Sequence, residues 1–170
     1  MTTTVSTLES QDFLQPNGFK LVILRKRFKN LEFFAQSVQH PDVSVAPTIV
    51  QFRGTNLLTP GDKIEYGQLT VDAIVDENMN VYKEMLNWVK SGATMKNKLA
   101  SGVTTADEDL PMYDITLSVL SSHNNQIDKI VYQGAFPINV GTINFQSTVD
   151  NVQYITFPVT FAYTTFTITD

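Results

Sequence analysis

A chain of 170 residues is the size of one domain with an arm or a long loop, and burying about 70% of its unfolded surface it needs no disulfide or metal to fold. Apolar residues make up 42%, charged residues only 17%, and 20 Thr help fill the difference, a composition that suits β-structure with broad surfaces meant to be covered. A net charge of −5 argues against nucleic-acid binding through phosphates. The lack of cysteine excludes a disulfide framework, a thiol nucleophile and Cys-type metal sites, and His40 and His123 are too few for a His-rich cluster.

Residues 1–15 read as a flexible polar arm with no basic n-region and no apolar h-region, so no signal peptide and no membrane anchor are expected. Pro16-Asn17-Gly18 is turn chemistry and opens a single domain over 16–170. Phe19 to Phe28 and Leu31 to Val38 read as a hairpin. Thr48 to Arg53 and Gln68 to Val75 alternate as strands, and the stretches 39–47 and 54–67, marked by Pro and Gly, read as long loops. Asp76, Glu77 and Asn78 supply caps for a helix over about 78–90, where Val81, Tyr82, Met85, Leu86 and Val89 share one face. Ser91-Gly92 is expected to end it, leaving 91–111 as loop. Met112 to Ser121 alternates cleanly and pairs with Gln126 to Gln133 across His123-Asn124-Asn125. Gly134 to Gly141 is expected to bend, with Gly141 at positive φ, before a short strand at Thr142 to Gln146. The long β-segment Val152 to Ile168 puts Ile155, Phe157, Val159, Phe161 and Tyr163 on one face, with Pro158 at a bulge or edge. The sum is a mainly β fold: an antiparallel sandwich or barrel of about eight strands with one flanking helix.

Catalytic patterns are missing: no GxSxG elbow, P-loop, HExxH or dinucleotide fingerprint. Asp107-Glu108-Asp109 lacks the spacing of a calcium loop and reads as a solvated acidic knot. Asp76-Glu77 reads as capping, His123 as a turn residue, and Trp88 with Tyr82 as packing. No enzyme and no cofactor are expected.

Charge is unevenly placed. Lys20, Arg25, Lys26, Arg27 and Lys29 hold five of the 12 basic residues within ten positions, either a solvated hairpin tip or an edge that docks on an acidic neighbour. After Lys129 the final 41 positions carry only Asp150 and Asp170. A long uncharged Thr-rich strand is an aggregation hazard unless it is paired or covered, which points to a self-assembling protein whose copies meet head to tail. An antiparallel sandwich could also bind carbohydrate, but the aromatics fall in strands, where core or interface is the expected place.

Several segments resemble a known family. DFLQPNGFKLVI (Asp12 to Ile23), YGQLTVDAIVDENMNVYKEMLNWV (Tyr66 to Val89), VYQGAFPINVGTINF (Val131 to Phe145) and YITFPVTFAYTTF (Tyr154 to Phe166) are similar, in order and spacing, to tail tube proteins of contractile-tailed bacteriophages. The bend residues Pro137, Asn139, Val140 and Gly141 match that family's pattern, while Phe136 stands where Trp is expected. The resemblance implies a structural virion protein, assembled in the bacterial cytoplasm as hexameric rings that stack into a hollow tube inside a contractile sheath. The implied partners are further copies, the sheath protein, baseplate tube-initiator proteins, the tape-measure protein, and double-stranded DNA that passes without specific binding. A terminal-ring paralogue, or a tube protein of a contractile injection or type VI secretion machine, would share the pattern. Candidate interface residues are Phe13, Pro16, Asn17, Arg25, Lys26, Arg27, Arg53, Asp107, Glu108 and Asp109. Candidate channel-facing residues are Thr116, Ser118, Thr142, Asn144, Thr160 and Thr164.

Overall fold

The computed structural model describes residues 14–23, 34–100, 112–147 and 154–169. Among them are eleven strands and one helix. The strands are β1 (Phe19–Val22), β2 (Ala35–Gln39), β3 (Val43–Val45), β4 (Thr48–Phe52), β5 (Thr55–Thr59), β6 (Ile64–Tyr66), β7 (Leu69–Ile74), β8 (Tyr113–Leu120), β9 (Gln126–Val140), β10 (Thr156–Ala162) and β11 (Thr165–Thr169). The helix, α1, is Asn80–Ala100. Seven strands form an antiparallel sheet in the order β1-β8-β9-β10-β7-β2, with β11 also on β9, and this sheet does not close into a barrel.

The fifteen residues of β9 belong to two leaves. The half nearest its N-terminus pairs with β8 on one side and β11 on the other, and the rest pairs with β10. Between them Gly134 takes φ +62°, and the β8 register slips between Tyr113 and Ile115. This is a glycine bulge, which bends a strand and raises its twist. Asp114 Oδ1 accepts the Gly134 N–H at 2.9 Å, and the Thr164 N–H donates to the Gln133 carbonyl at 3.0 Å. The expected single β-segment over 152–168 therefore breaks at Tyr163-Thr164, opposite the bulge, into β10 and β11.

The period-two pattern places the core as expected. Leu69, Val71 and Ala73 of β7 lie directly across from Phe161, Val159 and Phe157 of β10, and all six are fully buried. Ile115 and Leu117 of β8 face Tyr132 and Ile130 of β9. Helix α1 adds Val81, Met85 and Trp88 to the same cluster, with the Trp88 ring 5.6 Å from Phe161 and Tyr82 5.4 Å from Phe157. Each large apolar side chain so buried stabilises the fold by about 1.5–3 kcal/mol.

Several expectations are corrected. The Asp76 carboxylate caps α1 by accepting the Val81 N–H at 3.2 Å, but the helix runs through Ser91-Gly92 to Ala100. Ser91 Oγ donates to the Trp88 carbonyl and Thr94 Oγ1 to the Lys90 carbonyl, and the helix formers of Ala93 to Ala100 offset the roughly 1 kcal/mol cost of Gly92. The stretches 39–47 and 54–67 are not plain loops but contain β3, β5 and β6. Pro137, Asn139 and Val140 lie within β9, with a register shift around Ile138, so the main bend is at Gly134. Residues 141–146 are not a strand. Pro158 sits in a central strand, where its carbonyl accepts the Gly141 N–H at 2.7 Å. Its missing N–H faces that same side, where β9 ends, so the one bond forgone is that to the Gly141 carbonyl at the margin of the ladder.

Gly141 does not adopt positive φ. It is required by close approach instead, since a Cβ would stand 2.9 Å from the Pro158 carbonyl oxygen and press on the Pro158 ring. We expect Gly141→Ala to cost about 1–3 kcal/mol through overpacking, read as a lower urea midpoint. An unchanged midpoint would show that β9 and β10 can separate there freely.

Candidate assembly surfaces

Beyond the sheet, the β2–β7 pair continues as a two-stranded ribbon over residues 43–66. Val43 pairs with Tyr66, Val45 with Ile64, Thr48 with Thr59 and Phe52 with Thr55. The tip is Arg53-Gly54, with φ 48° and 80°. Positive φ at both central residues defines a type I′ turn, whose twist matches that of the strands it joins. Ala46-Pro47 and Pro60 to Lys63 only interrupt the ladder. Thr59 Oγ1 donates to the Thr48 carbonyl at 3.0 Å. Lys63 and Glu65 form an exposed ion pair at 3.0 Å, worth little on its own.

The ribbon has no buried face. Val43, Val45, Ile49, Val50, Leu57, Leu58, Ile64 and Tyr66 are all exposed, Leu58 at 69%. Its β-branched and aliphatic content suits strands, and an exposed apolar run of this length is the kind of surface that marks an interaction site.

An aromatic cluster anchors the ribbon base. Tyr66 lies 6.2 Å from Tyr163 and 5.6 Å from Phe166, and His40 stands edge-on to Phe166 at 5.0 Å. The hydroxyl of the fully buried Tyr132 hydrogen-bonds to His40 Nδ1 at 2.7 Å. The Asp42 carbonyl accepts the Gly67 N–H at 2.9 Å, and a Cβ on Gly67 would run into the Asp42 carboxylate. Burial lowers the His40 pKa. The Tyr132 pKa is raised, by burial first and then by Tyr163, and the Tyr163 pKa is raised by burial, then by Tyr66 and Asp42. The Tyr163 hydroxyl is buried with no hydrogen-bond partner among the described residues.

A second apolar surface lies past the far ends of β9 and β10, where Phe145 is 69% and Tyr154 76% exposed. Backbone is also uncovered at strand edges: β1, β2 and β11 each pair on one side and keep one edge that pairs with no described strand.

The sequence-predicted residues scatter. Phe13, Arg25, Lys26, Arg27, Asp107, Glu108 and Asp109 lie outside the described residues. Pro16 and Asn17 form an exposed turn in which the Gly18 N–H donates to the Gln15 carbonyl at 3.1 Å. With β1 and Ala35 and Gln36 they line a cleft of about 520 Å³. Arg53 sits at the ribbon tip. The six channel candidates do not share one strand face. Thr116 and Ser118 are on β8, Thr160 on β10, Thr164 at the break between β10 and β11, and Thr142 and Asn144 after β9. Ser118 is only 7% exposed in the single chain, so it does not face a channel. Of the ribbon, the sequence shows β4 (Thr48–Phe52) as a strand but not its pairing with β5 or the β3–β6 pair, and it does not show the His40 cluster. The apolar alternation from Val43 to Leu58 was the available signal for the ribbon, and nothing local marks the cluster. Among the described residues, no group of three or more metal-ligating side chains comes together and no helix is long and apolar enough to cross a membrane.

Two outcomes follow from the base cluster. Tyr132→Phe should lower stability by about 1 kcal/mol by removing the hydrogen bond to His40, whereas Tyr163→Phe should leave it equal or higher because its hydroxyl is buried unpaired. Urea midpoints read both, and equal losses would contradict the assignment. The lowered His40 pKa means that the unfolded chain takes up its proton first as pH falls below the ordinary value of 6.5. Stability from this group is thus full above that value and is lost as pH falls through the folded pKa. His40→Gln should flatten the stability–pH slope between about pH 7 and pH 5, and an unaltered slope would contradict it.

A family model for phage tail tube proteins matches residues 6–169. No curated protein sequence matches the chain. The fold is similar to solved chains of contractile injection particles. A chain of the anti-feeding prophage tube-terminating cap superposes with a TM-score of 0.68 at 15% identity, covering 99% of both chains. A chain from the sheath-tube complex of an extracellular contractile injection system, PVC, in the extended state gives 0.67 at 14% identity, covering 94% of this chain and 93% of that one. A chain from the sheath/tube terminator of the same system gives 0.66 at 14%, covering 95% and 100%. The matched family is one of structural, non-enzymatic proteins. With the match spanning nearly its whole length, over an open antiparallel sheet with one flanking helix, the chain belongs to the phage tail tube protein family.

Proposed function

We propose that this chain is a ring-forming subunit of a hollow tail tube, with six copies to a ring and rings stacked within a contractile sheath. The observation that supports this best is the open sheet of a tail tube family member, whose strands β1 and β2 each keep an edge that pairs with no described strand. Edge strands are hazards in a monomer, and pairing between copies around a ring removes them. The solved neighbours include a sheath-tube complex and a baseplate, which supports sheath and baseplate partners here. With a net charge of −5, the subunit repels phosphates and lets double-stranded DNA slide without sticking. Among the channel candidates, Thr116, Thr142, Asn144, Thr160 and Thr164 would offer a neutral polar lining. A tape-measure protein would occupy the same lumen during assembly, and particle formation would take place in the bacterial cytoplasm.

A second reading, a tube-terminating ring, is favoured by the near-equal similarity to a cap and a terminator. Negative-stain microscopy of the concentrated protein, alone and co-produced with sheath and baseplate proteins, tests both. Long hollow tubes are the expected result, and isolated six-fold rings that stop growth would select the terminator. A chain that stays monomeric and enters no particle in either setting would overturn the tube reading. DNA should not be retained by the assembled tubes at physiological salt.

A further inference from the structure

Resting on the tube reading, we propose that Lys20 and Lys129 form a cationic rung on the channel wall, touched by the phosphates of double-stranded DNA in transit. The cross-strand register brings the two lysines together. Lys20 of β1 pairs with Ser118 of β8, Ser118 with Lys129 of β9, and Lys129 with Thr169 of β11. Two strand spacings set the Lys20 and Lys129 backbones about 10 Å apart. Flexible four-carbon stems can close that gap on one phosphate. Flanked by both stems, Ser118 is only 7% exposed, while Lys20 is exposed and Lys129 half-buried.

The rung lies on the face of this leaf that is turned from the core. One step along, Leu21, Leu117 and Ile130 pack in or against the core cluster, on the side where α1 adds Val81, Met85 and Trp88. The next row on the rung's own face is Val22, Thr116, Val131 and Thr167. Of the carboxylates on these strands, Asp128 belongs to the core-side row with Phe19 and Val119. Asp114 lies four residues along β8 from Ser118, about 13 Å away, and holds the Gly134 N–H. None of the exposed large apolar side chains stands in the rung or in the row beside it. The outer strands of the leaf, β1 and β11, each keep an edge that pairs with no described strand, so copies joined there turn this face to one common side of the wall. The side under a sheath is covered by protein, where an ammonium is costly to bury. The side that stays wet suits the lysines. A subunit of net charge −5 that only repelled phosphates would also oppose their entry. A ring repeats the rung at every copy and makes it a belt, whose field is focused by a narrow channel and lowers that barrier. Lysine–phosphate contacts weaken steeply with salt, so the belt guides a moving duplex without holding it.

Tubes of the unsubstituted chain, alone or co-assembled with sheath and baseplate proteins, would be mixed with a short fluorescent DNA duplex over a salt series. Nuclease treatment and pelleting then count only duplex inside the tube, and the same samples are imaged. The expected result is protected duplex at low salt and none at physiological salt. Lys20→Gln combined with Lys129→Gln should cut the protected fraction at low salt about tenfold and flatten its salt dependence, and the corresponding Arg pair should retain it. Lys83→Gln combined with Lys90→Gln removes the same charge from the exposed side of α1 and should leave the fraction unchanged. Amine acylation of the unsubstituted tubes, read by mass spectrometry, needs no variant: duplex should shield Lys20 and Lys129 and not Lys83 or Lys90. Tubes that protect no duplex at any salt, equal losses from both Gln pairs, or acylation of Lys20 and Lys129 unchanged by duplex would overturn the rung and leave the tube reading standing. Absence of any assembly from the unsubstituted chain would overturn both.

Discussion

Strand β9 is the constraint on which the rest of the molecule depends. It is the one strand shared by both leaves, and β8, β10 and β11 are all held by it. Because the Gly134 bulge turns it midway, the strand that runs antiparallel to it must break at the same level. Tyr163-Thr164 does so, with the Thr164 N–H on the Gln133 carbonyl. The two leaves can then share one buried cluster, and α1 completes it with Trp88 against Phe161. Leaving the sheet open gives β1, β2 and β11 each an edge that pairs with no described strand, the kind of edge that pairing with another chain would cover.

The ribbon follows from the same geometry. The β2–β7 pair sits at the end of the sheet path, so its continuation leaves the body instead of entering the core. Apolar residues on such an element gain nothing in the isolated chain. The aromatic cluster of His40, Tyr66, Tyr132, Tyr163 and Phe166 fixes only its base. An arm held at one end and uncovered at the other can settle onto a partner with little ordering to do at the root.

Where one face of a strand is buried, the sequence was readable. Leu69, Val71 and Ala73, then Ile115 and Leu117, then Phe157, Val159 and Phe161 alternate in sequence because they alternate across a sheet with one side in the core. That logic fails where no face is buried. β4 alternates enough to read as a strand, but in β3, β5 and β6 both sides meet solvent, and Pro47 and Pro60-Gly61 read as loop although they merely divide a ladder. It fails again where the deciding fact is a neighbour distant in sequence. Nothing around Gly141 reveals Pro158, nothing around His40 reveals Tyr132, and Ser91-Gly92 looked like a stop because the helix formers that follow were given less weight than the glycine. Charge patterns mark solvated surface as readily as docking surface, so the basic run from Lys20 to Lys29 does not by itself point to an interface.

The distribution of charge gives the last step. Acidic and basic residues are scarce along most of the ribbon and along β10 and β11. The ribbon up to Gly61 holds only Arg53, and residues 130–149 and 151–169 hold none. A monomer selected for solubility would place charge on exactly such edges as a barrier to association. Removing a charge from water costs several kcal/mol unless it is well paired, so a surface meant to be covered does better without one. The neutral stretches therefore mark the surfaces that change environment on assembly, and the charged remainder marks those that stay wet. In a tail tube protein the neutral set should belong to contacts within the particle, and the net negative charge to the surfaces left facing water.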